Sequence, residues 1–174
     1  MLTDNTAWIQ EKWEHQKTLA AQLPETALYL GRARHLQYHL DPLPHFADGR
    51  IYLPACADRE AVVRALKTFY AATARDYLPQ RLDYWSERMG LYPQQLRLKY
   101  LKSRWGSCSS KKNINLNYRA MQLSKPAIDT ILIHELAHLK HMNHGEAFWK
   151  LVYTFSPDYD YHHQHLKTLG EHLF

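Results

Sequence analysis

What this sequence holds little of narrows what the chain can be. Its two cysteines, Cys56 and Cys108, lie far apart and outside any C-x-x-C arrangement. The chain therefore reads as a cytoplasmic protein with free thiols rather than a cysteine-built metal module. Its longest aliphatic runs are a few residues, far short of the roughly 20 that a membrane-crossing helix needs. Met1 to Trp8 lacks a basic region followed by an apolar stretch, so no secretory signal is expected. There is no glycine-rich phosphate loop, no internal repeat and no low-complexity tract. Acidic residues are absent from Arg88 to Ile128, although that stretch carries Arg88, Arg97, Lys99, Lys102, Arg104, Lys111, Lys112, Arg119 and Lys125. These positives exceed the net charge of +5, so the rest of the chain is net acidic. The basic stretch reads either as a solvated face or as a surface favouring an acidic partner, whether acidic peptide or nucleic acid.

What is present suits a globular protein. With 174 residues, of which 45% are hydrophobic and 13% aromatic, the chain can bury a core of its own, and residues 1–174 are expected to form a single domain. A helix is expected over 6–23, ended by Pro24, then a strand pair over 27–40 broken near Gly31 and a turn at Asp41–Pro44. A short strand follows at 50–53. Residues 59–77 carry a clear helical period with Asp58 as N-cap; Pro79 should kink this run or start a second helix, which Gly90 stops. Residues 95–104 alternate, with Leu96, Leu98 and Tyr100 on one face and Arg97 and Lys99 on the other. Residues 105–112 read as a loop, and 113–117 alternates again, so the two alternating segments are expected to pair as a hairpin.

The densest chemistry sits in His134-Glu135-Leu136-Ala137-His138, an H-E-x-x-H run inside a helical pattern. Ser124 supplies an N-cap and Pro126 a first-turn proline. Residues four apart share one helix face, so His134 and His138 can aim two imidazoles at one metal ion. Glu135 leaves at a neighbouring angle and can serve a metal-activated water as general base. This is the layout of a zinc hydrolase. The third ligand follows from distance. His141 shares the stripe, but His134 and His141 are separated by about 10.5 Å along a straight helix, too far for zinc–nitrogen bonds of about 2.0–2.1 Å. The chain should therefore turn near Asn143, which tolerates left-handed backbone, and bring His144 back from the start of the next helix. Glu146 is the alternative ligand. His162, His163 and His165, near the C-terminus, read as a solvated helix face.

Arg104-Trp105-Gly106-Ser107-Cys108, Ile114-Asn115-Leu116-Asn117, His134 to His138, Asn143-His144 and Phe148-Trp149 together closely resemble the YgjP-like metallopeptidase family, a relative of the SprT and WLM zinc peptidases. The resemblance is strongest over about residues 95–155 and continues back to Leu30-Gly31. It implies an α+β minimal zincin, with a small antiparallel or mixed sheet packed on an active-site helix and further helices around it. It implies one Zn2+ ion held by His134, His138 and His144, with Glu135 as general base. Two departures stand out: family members often carry a β-region before the first helix, and His141 occupies the position that is glycine in the longer H-E-x-x-H-x-x-G-x-x-H class.

The expected activity is zinc-dependent hydrolysis of peptide bonds. Tyr153, Tyr159 and Arg104 are candidates for steadying the developing oxyanion. Arg97, Lys99, Arg104 and Tyr159 are candidate substrate-binding residues, which would favour acidic peptides or protein held on nucleic acid. The alternatives are a metal-dependent hydrolase of a nucleotide or other phosphate compound at the same site, and a basic, nucleic-acid-associated module that uses zinc structurally.

Overall fold

Alternating and helical segments of the sequence resolve into an α+β fold. A computed structural model of the chain describes residues 23–173, with side chains through residue 169; residues 6–22 of the expected first helix lie outside them. The described elements are seven strands, a short 3-10 helix and four α-helices. They fall into two units, one of residues 23–27 and 33–69, the other of residues 28–32 and 70–173.

The first unit holds most of a four-stranded sheet of order β1-β2-β4-β3, formed by β1 (Thr26–Tyr29), β2 (Arg32–His39), β3 (His45–Ala47) and β4 (Arg50–Pro54), whose Leu28, Tyr29 and Arg32 belong with the second. β4 pairs parallel with β2 and antiparallel with β3, and its Ile51 and Leu53 are fully buried. Asp48 and Gly49 both have positive φ (48° and 75°), the two-residue turn whose twist matches a hairpin. β3 is an addition to the sequence reading, which placed only β4 here. Helix α1 (Arg59–Met89) begins in this unit, where Asp58 Oδ1 accepts from the Ala61 N–H at 2.7 Å. It continues as one helix through Pro79, where a kink or a second helix was expected. The proline removes one backbone hydrogen bond. Tyr70, Ala74, Leu78 and Leu82, four apart and all buried, anchor a continuous stripe on both sides of it. Gly90 (φ 66°) then ends the helix.

The second unit carries a three-stranded sheet of order β5-β7-β6: β5 (Gln95–Lys99), β6 (Gly106–Cys108) and β7 (Asn113–Asn117). Two expectations need correction here. β5 and β7 are parallel, Gln95 opposite Asn113 through Lys99 opposite Asn117, and so do not form a hairpin. The supposed loop 105–112 contains β6, and β6 is the antiparallel partner of β7. A parallel pair needs the chain to cross back between its strands, and the loop 100–105 with β6 makes that return. The turn closes with the Lys112 N–H donating to Ser109 O at 2.8 Å, Lys112 itself having φ 59°. The buried amide of Asn117 fixes the loop by donating to Leu101 O (2.8 Å) and Arg104 O (3.1 Å).

Helix α2 (Lys125–Ala137) is buried on most sides, through Ile128, Ile131, Leu132, Ile133 and Leu136. Helices α3 (Glu146–Phe155) and α4 (Tyr159–Leu173) pack against it. Ile133, Ala137, Phe148, Val152 and Tyr159 form the core between them. Arg81 of α1 makes a two-pronged ion pair with Asp129 of α2. The N-terminal end of α2 is further held by the β1–β2 turn. Leu30 and Gly31 have φ 49° and 76°, and their N–H groups donate to Met121 O (2.8 Å) and Gln122 O (3.2 Å). A Cβ on Gly31 would lie 2.7 Å from Ser124 Cα, the backbone of the α2 N-cap. Gly31→Ala is therefore expected to destabilise the fold by about 1–3 kcal/mol through positive φ and backbone clash, measured as a lower urea midpoint with an unchanged slope.

Candidate metal centre

The site is built around the C-terminal end of α2. Ser124 caps its start, its Oγ accepting from the Ala127 N–H, with Pro126 in the first turn as the sequence requires. The helix ends at Ala137, with His138 as its C-cap in right-handed conformation. The chain then leaves through residues 138–145 without a left-handed turn at Asn143, whose φ is not positive. The early stop makes the return that the distance argument demanded, and His144 sits just before α3, whose N-cap is Gly145.

The result is a convergence of three ring nitrogens. His134 Nε2 lies 3.2 Å from both His138 Nε2 and His144 Nε2, and among the described residues these three form the one His/Cys/Asp/Glu group close enough to hold a metal ion. His141 and Glu146 stand outside it. Nitrogens bound tetrahedrally at about 2.0–2.1 Å from a zinc-sized ion would be roughly 3.3 Å apart, so the spacing fits such an ion.

The outer nitrogens explain the ring orientations. His138 Nδ1 donates to His141 O at 3.1 Å, which leaves its Nε2 as a lone pair. His134 Nδ1 is 2.9 Å from the Tyr159 hydroxyl, which in turn lies 3.2 Å from His163 Nδ1. A hydrogen-bonded outer nitrogen fixes the tautomer of a metal-binding imidazole. Phe148, fully buried, contacts all three imidazoles, with centroid separations of 5.0, 4.6 and 4.7 Å to His134, His138 and His144. Burial, followed by the neighbouring histidines, lowers the pKa of His134 to about 3; burial likewise lowers that of His138. Burial thus favours the neutral form of these two rings, the state a metal needs.

Glu135 is 6% exposed, and its Oε2 has no hydrogen-bond partner among the described residues. Burial pushes its pKa up to about 8, against a downward pull from Arg104. Its carboxylate lies against the backbone of β6. A Cβ on Gly106 would stand 2.7 Å from Oε1 and 2.9 Å from Cγ, so the glycine in R-W-G-S-C makes room for the acid. The same acid and burial raise the Cys108 thiol to about 11, burial being the larger cause, and both cysteines are free thiols.

Glu135 and His134 open onto a cavity of about 570 Å³, lined by the loop 102–105, Gly106, part of α2 and the start and middle of α4. Arg104 and Tyr159 line it; Arg97 and Lys99 do not. Those two cations lie on β5, the far edge of the sheet from β6, and Arg97 instead donates to Gln95 Oε1. Tyr153 is exposed, its hydroxyl donating to Asp160. His163 belongs to the cavity wall and to the Tyr159 chain, which corrects the reading of the C-terminal histidines as a solvated face. The i, i+4 spacing of Tyr159 and His163 was the signal for it. The roles of Gly106 and Phe148 were missed too, because a glycine beside a loop and a phenylalanine in a helical period look ordinary until their neighbours are known.

A family model for the YgjP-like metallopeptidase domain matches residues 1–169. The chain belongs to the YgjP-like metallopeptidase family. Among solved structures it is similar to the metallopeptidase zymogen abylysin of Pyrococcus abyssi, at 29% identity over 43% of this chain and 75% of that one, with a TM-score of 0.40. It is also similar to the metallopeptidase zymogen jannalysin of Methanocaldococcus jannaschii, at 20% identity over 52% and 93% of the respective chains, with a TM-score of 0.47. No curated protein matches it. The family supports a metallohydrolase of the peptidase type. Among the described residues no helix is long and apolar enough to cross a membrane.

Proposed function

We propose that the protein is a zinc-dependent peptidase acting on peptide or protein substrates, with His134, His138 and His144 as the metal ligands and Glu135 as the general base. The observation that carries this reading is the approach of three ring nitrogens, His134 Nε2 lying 3.2 Å from each of the other two, beside a buried carboxylate with an unpartnered oxygen. A set of three imidazoles with one side open suits catalytic zinc. When bound, the ion supplies a Lewis acid that polarises a carbonyl and makes water acidic near neutral pH.

The chain's own residues do the rest. Glu135, a carboxylate with an unpartnered oxygen beside the ligands, accepts the proton of the attacking water and passes it to the leaving amine. Tyr159, between His134 and His163, holds the first ligand in its tautomer. Arg104, exposed at the cavity, is the candidate to steady negative charge on the substrate. Gly106 leaves the carboxylate its place. The single-domain reading of residues 1–174 is part of this proposal, supported by the family match across 1–169, as is a cytoplasmic setting, supported by the two free thiols.

The cations at the cavity favour a second reading, hydrolysis of a phosphate compound at the same site. Incubating the zinc-loaded chain separately with an unfolded protein and with nucleoside triphosphates distinguishes the two. The expected result is protein cleavage that a chelator stops and added zinc restores. Triphosphate turnover without protein cleavage would overturn the peptidase assignment.

A further inference from the structure

The cavity beside Glu135 has two chemically distinct parts. Its floor is apolar: Ile131 and Leu166 are 6% and 5% exposed, and Trp105 lies beside them, its indole N–H donating to Leu166 O at 3.2 Å. That bond satisfies the indole's one polar atom and leaves hydrocarbon and ring surface toward the space. The rim is cationic. Lys102 and Arg104 come from the loop after β5 and Lys167 from α4, and all three are exposed. Among the described residues Glu135 is the only acid in the lining, and none of the three cations is in a described ion pair. The loop carrying Lys102 and Arg104 is preset by the Asn117 amide, so little ordering is needed when a ligand arrives.

We propose that this cavity is the specificity site and takes a large apolar or aromatic residue directly adjoining a carboxylate. The proposal rests on the peptidase reading for the ligand's being a peptide. A space of about 570 Å³ exceeds one side chain and suits a residue with its neighbour. An apolar side chain gains by covering the tryptophan and aliphatic floor. The neighbouring carboxylate then falls among three cations, whereas a lysine or arginine there is repelled. The carboxylate has two sources, an Asp or Glu side chain or the chain's own C-terminus.

Both sources can be tested with N-acetylated tetrapeptides, measuring binding by calorimetry to the zinc-loaded Glu135→Gln chain and cleavage by the zinc-loaded parent. The series places Phe-Glu, Phe-Gln and Gly-Glu at its amidated C-terminal end, and adds Phe-Gln with a free terminal carboxylate. The Phe-Glu amide is expected to bind about tenfold tighter than the Phe-Gln and Gly-Glu amides, with the acidic preference shrinking as salt rises. Tight binding of the free-acid Phe-Gln peptide would assign the carboxylate to the chain terminus instead. Lys102→Gln with Lys167→Gln should bring the acidic preference toward unity while leaving the Phe-over-Gly preference intact.

Failure of the specificity proposal and failure of the peptidase reading separate cleanly. Cleavage without apolar or acidic preference, or a preference that survives the double substitution, overturns the cavity assignment and leaves the peptidase reading standing. Selective binding without any cleavage does the reverse. Absence of binding by every peptide overturns the cavity assignment.

Discussion

Glu135→Gln should lower turnover by about 10²–10⁴-fold, the usual contribution of a general base, while zinc content and fold persist. Glutamine keeps the shape that fits against Gly106 but cannot take a proton. Turnover at the parent's rate would remove Glu135 from the mechanism, and loss of zinc would make it a support of the metal instead. The same variant carries a pH signature in the metal-free protein. The carboxyl's pKa is raised from 4.5 to about 8 in the folded chain, so the stability it contributes is whole below about pH 4.5 and is lost as pH rises through about 8. Relative to the parent, the metal-free glutamine variant should therefore gain stability with rising pH across that window, on the order of a few kcal/mol. Urea unfolding at pH 5 and pH 8 reads the difference directly. A difference that is flat with pH would mean that Glu135 is not desolvated as the fold places it.

The histidines should divide sharply. His134→Ala, His138→Ala and His144→Ala should each weaken zinc binding by more than about 100-fold, beyond the roughly 10–100-fold typical of groups that only orient a ligand. His141→Ala should leave it nearly unchanged. The bond described between His141 and the cluster is its backbone carbonyl accepting from His138 Nδ1, and alanine retains that carbonyl. Competition with a chromophoric chelator measures each affinity. If His141→Ala loses zinc while His144→Ala keeps it, the proposed ligand set is wrong. Circular dichroism on the same samples separates loss of a ligand from loss of the fold, which matters most for His134 because it packs on Phe148 and Tyr159.

Much of this arrangement follows from local rules. Ser124 and Pro126 start α2 because a cap and a first-turn proline act within one turn of chain. The four-residue spacing of His134 and His138 puts them on one face in any α-helix. A straight helix cannot bring His141 to a small ion shared with His134, so helix geometry alone points to a third ligand past the turn. The alternation of 95–99 and 113–117 likewise marked two strands, with Leu96, Ile114 and Leu116 turned inward.

Local pattern thus specifies the helix that carries His134 and His138, the residue types at its end and the existence of β5 and β7. Tertiary structure alone decided how these meet. Alternation tells which side of a strand is apolar but carries no record of its partner or direction, so the parallel pairing of β5 with β7 and the insertion of Gly106–Cys108 as β6 were not readable. That pairing leaves Arg97 and Lys99 at the far edge and brings Lys102 and Arg104 to the cavity. The same holds for Gly106 against Glu135, Phe148 beneath the three imidazoles and the Tyr159–His163 chain. Each is a contact between segments distant in sequence, fixed by close packing across the core and not by any local preference of the residues involved.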